Sequence, residues 1–347
     1  MPESLEPADR FDAITTTAME SQHLASVSIG VRREGEPDIL RSYGVADLEN
    51  DVPATPRAVY RIGSLTKMFT AAVVMRLVER GALHLNDTLG EVVPDFPTHG
   101  HRITVEQLLT HTSGIKNYTE LPAFVEQARR DLTHQQMARL VATEPLDFEP
   151  GADYKYSNSG YYLLGVIIEI ASGSTYYEVV ERELCVPLQL RDTCYVDDYR
   201  LIKHRVRGYD IWNEMTFNSG QLSMMPPFAA GGLGSSAADL IEWGSALLGH
   251  RVVTADSLKR MTTPGRLNDG TPTAYGFGME LAEVAAHRKW FHSGRINGFR
   301  SLLALYPDVP AIVAVLCNTG AAEVERLESQ LARAALALPD AVPDAPR

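Results

Sequence analysis

A chain of 347 residues with 45% hydrophobic content can bury an ample core, in two domains or in one with a large insertion. A net charge of −12 argues against nucleic acid or an anionic membrane as a partner, and no apolar run reaches membrane-spanning length. Three cysteines, Cys185, Cys194 and Cys317, suit a reducing compartment better than a disulfide framework. The amino-terminal stretch MPESLEPADRFDAITTTAMESQ lacks both the basic flank and the apolar run of a signal peptide, so the expected location is cytoplasmic unless the chain is a trimmed mature form.

Residues 10–23 read as a weakly amphipathic helix. Residues 24–32 alternate, Val27, Ile29 and Val31 against Ser26, Ser28 and Arg32, which predicts a half-buried strand with a hairpin partner over 38–43. From 66 to 78 nearly every residue is apolar, so a helix here should be buried on all faces, with Gly81 as its left-handed cap. A loop rich in Pro, Gly and Asp follows, where His99 and His101 read as exposed loop histidines rather than metal ligands. A short helix is expected over 104–110, the turn HTSGI after it, and one or two amphipathic helices over 120–143. The turn-rich FEPGADYKYSNSG precedes an apolar helix, YYLLGVIIEIASG, closed by Gly173. Residues 175–191 read as helical and 195–222 as irregular. The glycine-rich MMPPFAAGGLGSSAADLIEW lacks the spacing and the lysine of a phosphate-binding loop, and Ser236 with Asp239 reads as a capping box. Strands are expected near 275–281, 288–292, 299–306 and 311–317, then a closing helix over 321–337 and a disordered tail.

Chemistry enters at Ser64 and Lys67, three residues apart at the start of the buried helix and so on one face of its first turn. A serine hydroxyl needs a neighbouring base, and a lysine in apolar surroundings loses affinity for its proton and can be that base. Chance alone gives a chain of this length roughly one or two Ser-x-x-Lys matches. The second match here, Ser113 to Lys116, has glycine after the serine and reads as a loop. On this stretch alone an N-cap serine and a snorkelling lysine outweigh the catalytic reading. Two further elements shift the balance. Tyr156 and Asn158, two apart in an extended loop, can face one cleft, and Tyr-x-Asn occurs once in the chain. His292, Ser293 and Gly294 end a predicted strand, and Gly294 lets another backbone approach closely. No Gly-x-Ser-x-Gly elbow is present, which sets aside an α/β-hydrolase.

In this order the three elements resemble the serine β-lactamase and penicillin-binding protein superfamily, with Ser-x-x-Lys, Tyr-x-Asn and Lys/His-x-Gly. The likeness is to the class C β-lactamase-like branch, which includes esterases and D-amino-acid peptidases and amidases. The phrases RIGSLTKMFTA, LLTHTSGI, YSNSGYYLLG, AGGLGSSAADL and HSGRINGF carry it over about residues 10 to 335. The resemblance implies an α/β (α+β) fold: an antiparallel sheet flanked by helices from residues 8–82 and 226–338, a mostly helical insert over 83–225, and a tail over 339–347.

It also implies a serine hydrolase with no cofactor and no metal, acting on a small ester or amide. Ser64 would be the nucleophile, Lys67 and Tyr156 the shared general base, and Asn158 the holder of the substrate's side-chain amide. His292 would complete the hydrogen-bond net around Tyr156, and the backbone N–H groups of Ser64 and Arg295 would form the oxyanion hole. Alternatives within the resemblance are a D-alanyl-D-alanine carboxypeptidase or D-aminopeptidase, an acyltransferase, and a non-catalytic binding protein. Many β-lactamases carry lysine where this chain has His292, so Arg295 is the candidate cation for a substrate carboxylate. The resemblance leaves the oligomeric state open.

Overall fold

Two stretches far apart in sequence meet in the middle of one antiparallel sheet. The computed structural model describes residues 7–338, and the tail expected beyond them lies outside the described residues. In chain order the first strands are β1 (Ser26–Arg33), β2 (Ile39–Asp47), β3 (Val52–Pro53), β4 (Tyr60–Arg61), β5 (Cys194–Tyr195) and β6 (Tyr209–Trp212). Then come β7 (Met215–Asn218), β8 (Leu233–Ser235), β9 (Glu280–Val284), β10 (His287–Ile296), β11 (Phe299–Tyr306) and β12 (Ala311–Cys317). Seven of them form a sheet in the order β3-β2-β1-β12-β11-β10-β9. Its central register pairs Val27 with Cys317 and Arg33 with Ala311.

This sheet is covered on both sides, which is why β12 reads as an unbroken apolar run rather than as an alternation. Val313 and Val315 face the helices Pro7–Gln22 and Val324–Ala335, packing with Phe11, Leu327 and Leu331. Ile312, Ala314 and Leu316 belong to the larger core on the other face, which takes in the helices Thr66–Glu79, Asn158–Ser172 and Ala237–Leu248. In that core Phe69 stacks on Trp243 with ring centroids 4.1 Å apart. The core runs without a break from the helices after residue 83 to the sheet. The Thr66–Glu79 helix is buried from Thr66 to Met75 and again at Leu77. Gly81, at φ +70°, closes it through its own N–H to the Val78 carbonyl and that of Ala82 to Leu77. The three cysteines are free thiols.

Several expectations shift. The stretch expected to be irregular holds the hairpin β6–β7, whose turn residues Asn213 and Glu214 both take positive φ. Its strands are four residues each and largely exposed, so the brief alternation in Met215–Asn218 is too short to stand out as a strand. The strand expected over 275–281 starts only at Glu280, because Gly276 and Met279 close a turn first. Strand β10 runs on to Ile296, past the point where the motif was expected to end it. Ser236 caps its helix, but the Asp239 carboxylate turns away to accept from the Asp192 N–H and the Thr193 hydroxyl, so the box is half-formed.

Against the outer helix, fully buried Glu328 accepts from Lys289 of β10 and from the Tyr306 hydroxyl, the latter at 2.6 Å. Removing one partner of such a pair strands the other charge away from water. Glu328→Ala should therefore lower the unfolding free energy by about 3–5 kcal/mol. Urea melts would show it, and a loss under about 1 kcal/mol would contradict this account of the pair.

Candidate active site

The turn that carries Ser64 is gripped on several sides. Ile62 donates its N–H to the Leu233 carbonyl at 3.0 Å and accepts from the Ser301 hydroxyl at 2.8 Å. Residues Gly63–Leu65 make one 3₁₀ turn, and the Thr66–Glu79 helix follows at once, with Thr66 Oγ1 accepting from the Leu233 N–H at 3.2 Å. Two glycines allow β10 to press against this turn. A Cβ on Gly294 would sit 2.0 Å from the Ile62 carbonyl oxygen, and one on Gly63, itself at φ +50°, would meet the Arg295 backbone at 3.1 Å. The Arg295 backbone is thereby brought beside the serine turn.

Lys67 lies beneath Ser64 and is fully buried. Its Nζ is 3.1 Å from Ser64 Oγ, 2.8 Å from Asn158 Oδ1 and 2.8 Å from the Ala230 carbonyl oxygen. Among the described residues no carboxylate pairs with it. Burial holds its pKa well below the ordinary 10.5. A neutral amine has two N–H bonds and one lone pair. The two carbonyl oxygens can only accept, so they take both N–H bonds, and the lone pair is left facing the Ser64 hydroxyl.

Asn158 opens the Asn158–Ser172 helix and is held by Asn117, whose Oδ1 accepts its N–H at 3.1 Å, and by Thr119, 3.3 Å from its Nδ2. Burial raises the Tyr156 phenol well above the usual tyrosine range, and the nearby Ser64 hydroxyl offsets part of that rise. Lys67 Nζ lies over the Tyr156 ring, 4.7 Å from the centroid. The four residues Ser64, Lys67, Tyr156 and Asn158 therefore converge.

His292 does not close the net around Tyr156. Its Nδ1 donates to the Ser293 carbonyl at 2.6 Å, which leaves Nε2 to accept from the Tyr275 hydroxyl at 2.9 Å, while the Tyr156 ring stays 6.1 Å away. Burial first, and then Lys67, push its pKa down to about 3, so it stands neutral and out of the cleft. The cleft itself encloses about 290 Å³, walled by Ser64, Asn158 and Arg295 with Phe124 and Leu222 opposite. Gly294 and His292 sit behind that wall, whereas Arg295 is exposed on it. A roomier apolar cavity of about 590 Å³ between Met137 and Tyr162 holds none of the four converging residues. Three contributors escaped the sequence reading: Tyr275, the Ala230 carbonyl and His111. His111, inside LLTHTSGI, and Ala230, which opens AGGLGSSAADL, lay in phrases that carry the resemblance, without their roles being legible there. The second Ser-x-x-Lys match is spent on an ion pair of Lys116 with Asp147 at 3.1 Å.

A family model described as Beta-lactamase matches residues 11–337. Among curated relatives, Protein flp of Staphylococcus aureus (strain MW2) is 26% identical over 93% of this chain and 65% of its own length. Penicillin-binding protein 4* of Bacillus subtilis (strain 168) is 30% identical over 81% of this chain and 66% of its own. The chain thus spans about two thirds of the length of these relatives. Among solved structures, a D-stereospecific amidohydrolase from Streptomyces sp. superposes with a TM-score of 0.81 at 27% identity, covering 95% of this chain and 98% of that one.

The depressed Lys67 pKa has a thermodynamic signature. The unfolded chain keeps this proton up to about 10.5, whereas the folded chain releases it at lower pH. Between those values the unfolded state binds more protons, so the folded state gains stability as pH rises. Wild type should therefore gain on Lys67→Met in urea melts taken from about pH 6 to pH 10, and a pH-independent difference would contradict the shift.

Proposed function

We propose a function on one premise: the chain belongs to the Beta-lactamase family. It is a serine hydrolase of the β-lactamase fold, and we infer that Ser64 is its nucleophile and that its substrates are small esters or amides. The observation that carries this reading is the placement of Lys67 Nζ, 3.1 Å from Ser64 Oγ, with two acceptor-only oxygens at 2.8 Å to take its N–H bonds. Lys67 would take the hydroxyl proton as Ser64 attacks the carbonyl carbon. Tyr156, whose buried phenol holds its own proton, would hand it to the leaving atom only as Lys67, the stronger acid once protonated, replaces it. The proton held on Lys67 thereby restores the phenol, and water releases the acyl group by the reverse sequence. The N–H groups of Ser64 and Arg295 are the proposed oxyanion donors, supported by the close approach of the Arg295 backbone to Gly63.

The narrow cleft favours a short acyl group against Phe124 and Leu222, with an amide or carbonyl reaching Asn158. With His292 neutral, Arg295 is the cation placed to meet a substrate carboxylate. A second reading, amides of D-configured residues, is supported by the likeness to the Streptomyces amidohydrolase.

A fluorophosphonate or a labelled penicillin should acylate Ser64, and Ser64→Ala should abolish the label; labelling of a different serine would defeat the assignment. Lys67→Ala should slow acylation by about 10²–10⁴-fold with little effect on binding, and a variant altered only in KM would count against the base. A panel of short p-nitrophenyl esters, nitrocefin, D-Ala-D-Ala peptides and D-amino-acid amides would rank the substrates. Arg295→Ala should raise KM for carboxylate-bearing members alone, and an unchanged KM would remove Arg295 from substrate binding.

A further inference from the structure

One buried residue outside the cleft is bonded to the backbone on both sides of Tyr156, by its carbonyl on one side and its ring on the other. His111, 1% exposed, accepts the Lys155 N–H on its carbonyl oxygen at 3.0 Å and the Ser157 N–H on its ring Nδ1 at 3.1 Å. Its ring also lies against the Tyr156 ring, with centroids 4.4 Å apart. Tyr156 is thus held before, after and across its face by a single residue. The ring's own state follows from these bonds. Because Nδ1 receives an N–H it carries the lone pair, so the proton of the neutral ring is on Nε2. That atom is buried with no hydrogen-bond partner, among the rings of Tyr156, Tyr161 and Tyr275. An imidazole N–H spent on aromatic faces is a costly way to fill a core, and an apolar side chain would fill it better if packing were its only task. The backbone narrows the choice as well, since His111 sits at φ +59°, where His, Asn and Asp are enriched over other non-glycine side chains.

We propose that His111 is a positioning residue whose ring fixes the Tyr156 phenol near Ser64 by accepting the Ser157 N–H and packing on the Tyr156 ring. The inference rests on the reading of Tyr156 as proton donor. His111 touches neither the cleft nor the reacting atoms, so its removal should act on kcat through Tyr156 and leave substrate binding alone.

Three variants test this on a D-amino-acid amide, whose amine must take a proton to leave: His111→Ala, His111→Asn and the double variant His111→Ala/Tyr156→Phe. His111→Ala should lower kcat by about 30-fold with KM within about threefold, because a proton donor displaced by a fraction of an ångström loses its geometry. Asn tolerates positive φ and offers an acceptor close to the place of Nδ1, so His111→Asn should recover to within about fivefold of wild type. The double variant should be no slower than Tyr156→Phe alone, the non-additivity expected when one residue works through the other. Losses that multiply, or an Asn variant no better than Ala, would overturn the positioning role. Should the Ala variant fail to fold, His111→Asn completes the same cycle with Tyr156→Phe. An inert Ser64→Ala beside an unimpaired His111→Ala would overturn this inference and leave the serine-hydrolase reading intact, whereas a fully active Ser64→Ala would overturn both.

Discussion

Everything at this site depends on an amine buried without a counter-charge. Lys67 sits on a helix buried without a break from Thr66 to Met75, meets only neutral acceptors, and lies near aromatic faces. A carboxylate beside it would hold its proton in place; burial without one releases the proton. The aromatic faces of Tyr156 and Tyr161 pull the other way, since a ring face favours the cation, but they replace only part of the lost hydration. Two carbonyl oxygens then decide where the remaining lone pair points. One comes from the Asn158 side chain, the other from the Ala230 main chain, and they arrive from segments 91 and 163 residues away in the chain.

The fold supplies those segments by packing rather than by sequence neighbourhood. The helix of Lys67 lies in a core shared with the Asn158–Ser172 helix, which sets Asn158 at its first turn. The Ala229–Ala230 stretch is tied to the same helix where Thr70 Oγ1 donates to the Ala229 carbonyl at 2.6 Å. From the sheet side, β10 reaches the serine turn because Gly294 and Gly63 have no Cβ to keep the backbones apart. Charge is excluded from the surroundings as well: His292 and His111 are both buried and held in their neutral forms, the first with both ring nitrogens committed and the second with one. A cation on either would repel the protonated form of Lys67 and would itself lack a counter-ion.

How much of this was legible in the sequence follows from the range of the interactions. The Thr66–Glu79 helix and strands β11 and β12 were readable because burial on all sides writes itself as a continuous apolar run. The convergence of Ser64, Lys67, Tyr156 and Asn158 came from a resemblance between spaced motifs, since nothing in periodicity brings residue 158 to residue 67. The hairpin β6–β7 was missed because each strand is only four residues long, too short for its alternation to register. The partner of His292 was misjudged for a different reason. Tyr275 lies in a turn with no pattern of its own, and only the packed structure shows that it, rather than Tyr156, takes the imidazole nitrogen. His111 stood in plain view within LLTHTSGI, yet its grip on Lys155 and Ser157 spans more than forty residues and could not be read from composition.

The most direct test is the protonation state of the Lys67 amine itself. Lysine labelled with ¹³C at Cε would be followed by NMR across a pH titration, with the Lys67 signal assigned by its loss in Lys67→Met. A midpoint well below the ordinary 10.5 is the result expected from burial without a counter-charge. An amine that stays protonated up to its ordinary range would leave Ser64 without a base and contradict the account.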